Sequence, residues 1–243
     1  MSEVDDKITS LLSEDRYFEP PTLGSDHAWV NDIAQYEKSY HQSMENLEGY
    51  WAERAEQLVS WYSPWTSVLD ADLHKPEIRW FDGATLNVSY NCLDRHLEKG
   101  KGEKIALIWQ GEPEDEVRTF TYQQLLDEVC RCANVLRKKG VRKGDRVAVY
   151  LPMIPELVIS LLACARIGAV HSVVFAGFSA VSLQNRIDDC EASLLITADA
   201  VLRAGKSIPL KPNGDEALEE CDSVDHCIVV RRAGNEVAMH SGR

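Results

Sequence analysis

From Lys104 onward, short apolar runs alternate with stretches of helical periodicity, and this alternation limits the fold more than any other feature of the chain. KIALIWQ (104–110), RVAVYL (146–151), AVHSVVF (169–175), SLLIT (193–197) and CIVVR (227–231) are strand candidates. Val117–Phe120 can pair with the first of these across the polar turn GEPEDE. Thr121 opens a helix with Gln124 as capping-box partner, and Leu125, Leu126, Val129, Ala133 and Leu136 form its apolar face up to Gly140. Further helices are predicted over Pro155–Gly168 and Ser179–Cys190. Strands and helices that alternate over about 20–30 residues build βαβ units and a mostly parallel sheet. The nearly unbroken apolar strands suit a sheet covered on both faces.

The first hundred residues have a different character. Residues 1–28 are polar, carry Pro20, Pro21 and Gly24, and read as a loosely ordered arm. Tyr36, Tyr40, Leu47, Trp51 and Leu58 recur at roughly helical spacing, which predicts helices packed through a buried aromatic stripe. Four of the six tryptophans, Trp51, Trp61, Trp65 and Trp80, fall between positions 51 and 80 and predict a locally packed cap. The expected class is therefore α/β: an N-terminal helical cap over 29–100, then a βαβ subdomain over 101–243.

Charge and cysteine content exclude several roles. Lys plus Arg is 26 and Asp plus Glu is 39, for a net charge of −13. Nucleic-acid binding needs a basic surface to neutralise phosphates, so neither nucleic acid nor an anionic membrane is an expected partner. A small anion held by two or three local cations remains compatible with that balance. The seven cysteines show no C-x-x-C pair, and the N-terminus has no apolar leader segment, so reduced thiols in a cytoplasmic or nuclear protein are expected. The longest apolar stretch, around Leu157–Val170, is interrupted by Arg166 and is too short to span a bilayer.

Gly205-Lys206-Ser207 imitates the end of a phosphate-binding P-loop. The first glycine of G-x-x-x-x-G-K-[ST] would fall at Ala200, and Pro209 and Pro212 oppose a helix launched from Ser207, so that reading fails. Arg203 and Lys206 would share a face on a helical turn and could grip a phosphate, against the plainer reading of a solvated helix face. Phe175-Ala176-Gly177 follows a strand and precedes a helix, where open α/β sheets bind ligands. Gly177 would permit close approach and Phe175 a stacking face, against the plainer reading of a strand-to-helix turn. His171 is expected to be a hydrogen-bonded core histidine, and no histidine pair has metal-ligand spacing. Asp188 and Asp189 are adjacent and point apart on a helix, which disfavours a paired acid–base site.

Several stretches together resemble acetyl-CoA synthetases of the AMP-forming acyl-CoA synthetase superfamily. They are EGYWAERAEQLVSWYSPW (48–65), IRWFDGATLNVSYNCLDRHLE (78–98), residues 118–180 ending in FAGFSA, and ITADAVLRAGKSIPLK (196–211). The resemblance runs from about Tyr36 onward, with propionyl-CoA synthetase as a close alternative. It implies part of the large domain of an adenylate-forming enzyme, and an activity that makes acetyl-CoA from acetate, ATP and CoA through acetyl-adenylate, with Mg²⁺. It also implies that Arg203, Ala204, Gly205 and Lys206 lie at the CoA site and that Phe175, Ala176 and Gly177 wall the adenine. Where the family frequently has arginine, Lys206 keeps the charge and loses the bidentate fork. A loop like TSGSTGKPKG, which the family uses on ATP, does not occur in the 243 residues. Catalytic residues, any metal site and the acyl pocket are therefore expected beyond Arg243, and this stretch alone is expected to be inactive. A non-catalytic CoA-binding or interaction module is the alternative.

Overall fold

The structure, a computed structural model, describes residues 28–72 and 74–239. The polar arm up to His27 and the end from His240 to Arg243 lie outside the described residues. The chain divides into two compact units, residues 1–55 and 56–243.

The first unit holds α1 (Ile33–Glu45) and most of α2 (Leu47–Leu58). The Asp32 side chain accepts a hydrogen bond from the Gln35 amide and starts α1. The expected buried stripe is not found: α1 has no buried residue, and Tyr36 and Tyr40 are more than half exposed. These two rings, one turn apart, stack on each other at 6.3 Å along the helix surface. Helical spacing identifies an apolar face; it carries no information on what covers that face.

The second unit begins with a hairpin that the sequence did not reveal, β1 (Ser67–Asp72) and β2 (Glu77–Asp82), paired antiparallel. Trp61, Trp65 and Phe81 pack with centroids 5.1 to 5.4 Å apart, and Trp80 lies 5.9 Å from Phe81. Three of the clustered tryptophans thus form a local packing centre, as expected. The short helices α3 (Val88–Cys92) and α4 (Asp94–Glu98) lead to β3 (Ile105–Gln110) and β4 (Val117–Thr121), which pair antiparallel.

Thr121 then caps α5 (Tyr122–Lys138) with both halves of the capping box formed: Thr121 accepts from the Gln124 amide, and the Gln124 side chain accepts from the Thr121 amide. Thr121→Ala is expected to cost about 1 kcal/mol, readable as a lower urea midpoint with an unchanged slope.

The remaining elements are β5 (Arg146–Tyr150), α6 (Pro155–Ile167), β6 (Val170–Val173), α7 (Ala180–Cys190), β7 (Leu194–Ala198), β8 (Ala200–Arg203), β9 (Lys206–Pro209), α8 (Lys211–Glu219) and β10 (His226–Val230). Four of the strands form one parallel sheet in the order β10-β7-β5-β6. The chain steps from β5 to β6 on one side and then crosses back to β7 and β10 on the other. Right-handed crossovers therefore put α6, backed by α5, on one face and α7 with α8 on the other. All five residues of β7 and four of the five in β5 are buried, which explains their unbroken apolar sequence.

β6 is the exception. It is an edge strand, Val170 and Val173 are about half exposed, and His171 is exposed rather than a core histidine. The cause is strand order, since an edge position leaves β6 only partly covered.

Candidate functional site

β5 and β7 are neighbours whose onward connections run to opposite sides of the sheet, so a crevice opens beyond their carboxyl ends. A cavity of about 440 Å³ occupies that crevice. Its wall includes Met153 after β5, Phe175, Ala176 and Gly177 after β6, Arg203 at the end of β8, and Arg232 after β10. Four of the seven sequence-predicted site residues, Phe175, Ala176, Gly177 and Arg203, thus meet at one cavity. Ala204, Gly205 and Lys206 stand beside it at an exposed hairpin tip.

The tip is not the helical turn considered from spacing. β8 and β9 pair antiparallel, with Arg203 directly opposite Lys206. Ala204 (φ 50°) and Gly205 (φ 69°) form the two-residue turn, both left-handed as the turn that matches strand twist demands. Cross-strand partners share a face, so the two cations are still adjacent, for a different reason. Neither has an ion-pair partner among the described residues. The Gly205 amide donates to Glu112 Oε1 at 3.1 Å and fastens the tip to the β3–β4 turn.

The Phe175–Phe178 loop is set from below. Tyr150, fully buried at the end of β5, places its hydroxyl 2.7 Å from the Phe178 carbonyl oxygen and 3.3 Å from that of Ala176. Asn213 on α8 donates to the same hydroxyl at 3.4 Å. With the loop held in this way, the Phe175 ring is left 61% exposed and free to stack on a ligand. A Cβ on Gly177 would come within 2.6 Å of that ring, so a larger residue there would have to displace it.

Arg232 was not identified from sequence. Its guanidinium forks onto both oxygens of Glu116 at 2.6 Å and lies 5.1 Å from the centre of the Trp109 ring. The Trp109 Nε1 in turn donates to the Met153 carbonyl at 2.7 Å. The Arg232 fork is the main cause that holds the Glu116 carboxyl below the usual carboxylate range. Arg232 is placed by Asp199, which is 2% exposed and accepts from the amides of Ala200, Arg232, Ala233, Gly234 and Asn235. Burial pushes the Asp199 carboxyl up, but those amide bonds outweigh it and the net shift is downward. A basic residue just after an apolar strand was the available signal, since parallel strands present such positions to the crevice.

Among the described residues no three His, Cys, Asp or Glu side chains converge as metal ligands. Burial pushes the Cys164 thiol up to about 12. None of the described helices is long and apolar enough to cross a membrane.

A family model described as AMP-binding enzyme matches residues 93–241. The chain belongs to the AMP-binding enzyme family. A second family model, acetyl-coenzyme A synthetase N-terminus, matches residues 36–92 and agrees with the resemblance seen in the sequence. Among curated relatives, the acetyl-coenzyme A synthetase of Syntrophus aciditrophicus is 51% identical over 234 residues, covering 94% of this chain and 35% of its own length. That of Rubrobacter xylanophilus is 52% identical over 236 residues, covering 97% of this chain and 36% of its own. That of Halorhodospira halophila is 47% identical over 232 residues, with 96% and 36% covered. The chain corresponds to the N-terminal portion of such synthetases and spans about a third of the length of these AMP-binding family members.

Proposed function

We propose that this chain is the N-terminal part of an acetate–CoA ligase and that its crevice holds the nucleotide end of CoA. The observation that carries the reading is the meeting of an exposed Phe175 ring and an unpaired Arg203 at one cavity beyond the carboxyl ends of β5, β6 and β7. A ring face suits the adenine, and a guanidinium fork suits a phosphate. Lys206, opposite Arg203 across the hairpin, adds a second positive charge beside it. The Ala204-Gly205 turn contributes backbone rather than side chain and sets the separation of the two cations. Acetate, ATP and Mg²⁺ would be handled by the remaining length of such a ligase, with 29–100 as the cap and 101–243 as the first part of the AMP-binding domain.

The two ends of CoA's nucleotide can be tested separately. Arg203→Ala is expected to weaken CoA binding by about 10- to 100-fold, the loss of one charged hydrogen-bonded contact of roughly 1.5–3 kcal/mol. Dephospho-CoA, which lacks the 3′-phosphate, is expected to bind the variant and the parent alike. Titration calorimetry on the chain reads both. Equal loss for the two ligands would remove Arg203 from the phosphate, and no loss for either would end the CoA assignment of this cavity. The chain by itself is expected to release no AMP from ATP and acetate; measurable turnover would overturn the assignment of adenylation to residues outside it.

A further inference from the structure

We infer a second ligand site at the opposite end of the sheet, suited to a phosphorylated small molecule with a planar ring, of the nucleotide class. A cavity of about 570 Å³ opens beside the amino end of β5, where α5 and α6 both terminate. This volume is within the roughly 300–1,000 Å³ of small-molecule sites. Arg137, Arg142, Lys143 and Arg166 line it, against the single carboxylate of Asp94. That is a local excess of three positive charges in a chain of net charge −13.

Helix ends attract cations for structural reasons, because their last carbonyls carry partial negative charge. That explanation covers only part of the cluster. The α6 carbonyls of Ala165 and Arg166 are already taken by the Asn87 amide, at 2.8 and 3.3 Å. Near the end of α5, the Arg137 and Val141 carbonyls are taken by one nitrogen of Arg142, at 3.2 and 3.4 Å. Arg166 is occupied too, forked onto Asp94 at 2.8 and 2.9 Å. The side chains of Arg137 and Lys143 are left with no ion pair and no hydrogen bond among the described residues. Two uncommitted cations at one cavity are a phosphate-binding arrangement.

A tyrosine in the same lining supplies the ring contact. Tyr62 is 62% exposed and stands edge-to-face with Tyr90 at 5.6 Å, and the Tyr90 hydroxyl donates to Glu98 at 2.7 Å. An exposed ring and unpaired cations lining one cavity suit a base and phosphates respectively.

ADP and inorganic pyrophosphate are the probes, titrated calorimetrically into the full chain. ADP is expected to saturate a site whose affinity falls about tenfold or more in the double variant Arg137→Glu/Lys143→Glu, and falls as salt is raised. Pyrophosphate is expected to show the same dependence on the two cations with weaker binding, and adenosine much less binding than ADP. The variant Arg137→Gln/Lys143→Gln serves where charge reversal lowers the melting temperature. Phe175→Ala, which removes the ring proposed for the adenine of CoA, separates this site from the CoA crevice and is expected to leave ADP binding here unchanged. The inference is overturned by absence of saturable ADP binding, by ADP affinity indifferent to both double variants, or by a loss on Phe175→Ala as large as theirs. A failed CoA titration with intact ADP binding would leave this site standing.

Discussion

Asp199→Ala is expected to lower the stability of the chain by roughly 2–4 kcal/mol, a substantial part of the ~5–15 kcal/mol that holds a typical domain folded. One carboxylate, 2% exposed, accepts from five backbone amides, four of them in the 232–235 segment that follows β10. Alanine leaves all five donors without that acceptor. Water can reach the exposed amides of Gly234 and Asn235, which keeps the loss below the sum of five buried hydrogen bonds. The signature is in acid. The folded pKa of Asp199 lies below its ordinary value, so its contribution is complete above about pH 4 and is lost as the pH falls through the folded value. Parent and Asp199→Asn should therefore diverge most above pH 4 and converge below it in urea unfolding. Curves that run parallel from pH 5 to pH 3 would mean the carboxylate charge contributes nothing. Because the same segment carries Arg232, the alanine variant should also release the Arg232–Glu116 clamp at the mouth of the crevice.

Elements that announce themselves by local chemistry were legible. The Thr121-Gln124 box and Gly140, left-handed just past the end of α5, are each written within four residues of the boundary they set. The strands of the parallel sheet were legible because burial on both faces requires continuous apolar sequence. What was missed depends on distant chain. His171 is exposed because β6 is at an edge, and strand order is fixed by crossovers rather than by the strand's own residues.

The β8–β9 hairpin was hidden for another reason. Two-residue turns usually signal themselves by Asn-Gly or Asp-Gly, whereas here Ala204 takes the first left-handed position and the flanking cations are equally compatible with a helix. Arg232 acquires meaning only when Asp199, 33 residues earlier, and Glu116, 116 residues earlier, are brought to it. The cavity's stacking wall was visible in the strand–Phe-Ala-Gly–helix pattern. The residue that supports that wall was not, because Tyr150 reads as one more apolar strand position.

The support given by Tyr150 can be taken apart in two steps. Tyr150→Phe keeps the buried ring and removes only the hydroxyl, so about 1 kcal/mol is expected from the unsatisfied Phe178 and Ala176 carbonyls. Tyr150→Ala also deletes a fully buried ring beneath the sheet's carboxyl edge, and about 3–5 kcal/mol is expected. Stability alone would describe any core tyrosine. The specific consequence is in binding, since the hydroxyl holds the loop that presents Phe175 to the cavity. If that ring stacks on the adenine of CoA, Tyr150→Phe should weaken CoA and dephospho-CoA by the same several-fold factor, because both carry the adenine. Arg203→Ala should separate the two ligands and Tyr150→Phe should not. A Phe variant that loses the expected stability yet binds both ligands as the parent does would show that the loop keeps its place without the hydroxyl. A Phe variant that discriminates between the two ligands would place the phosphate, rather than the adenine, against the Phe175 loop.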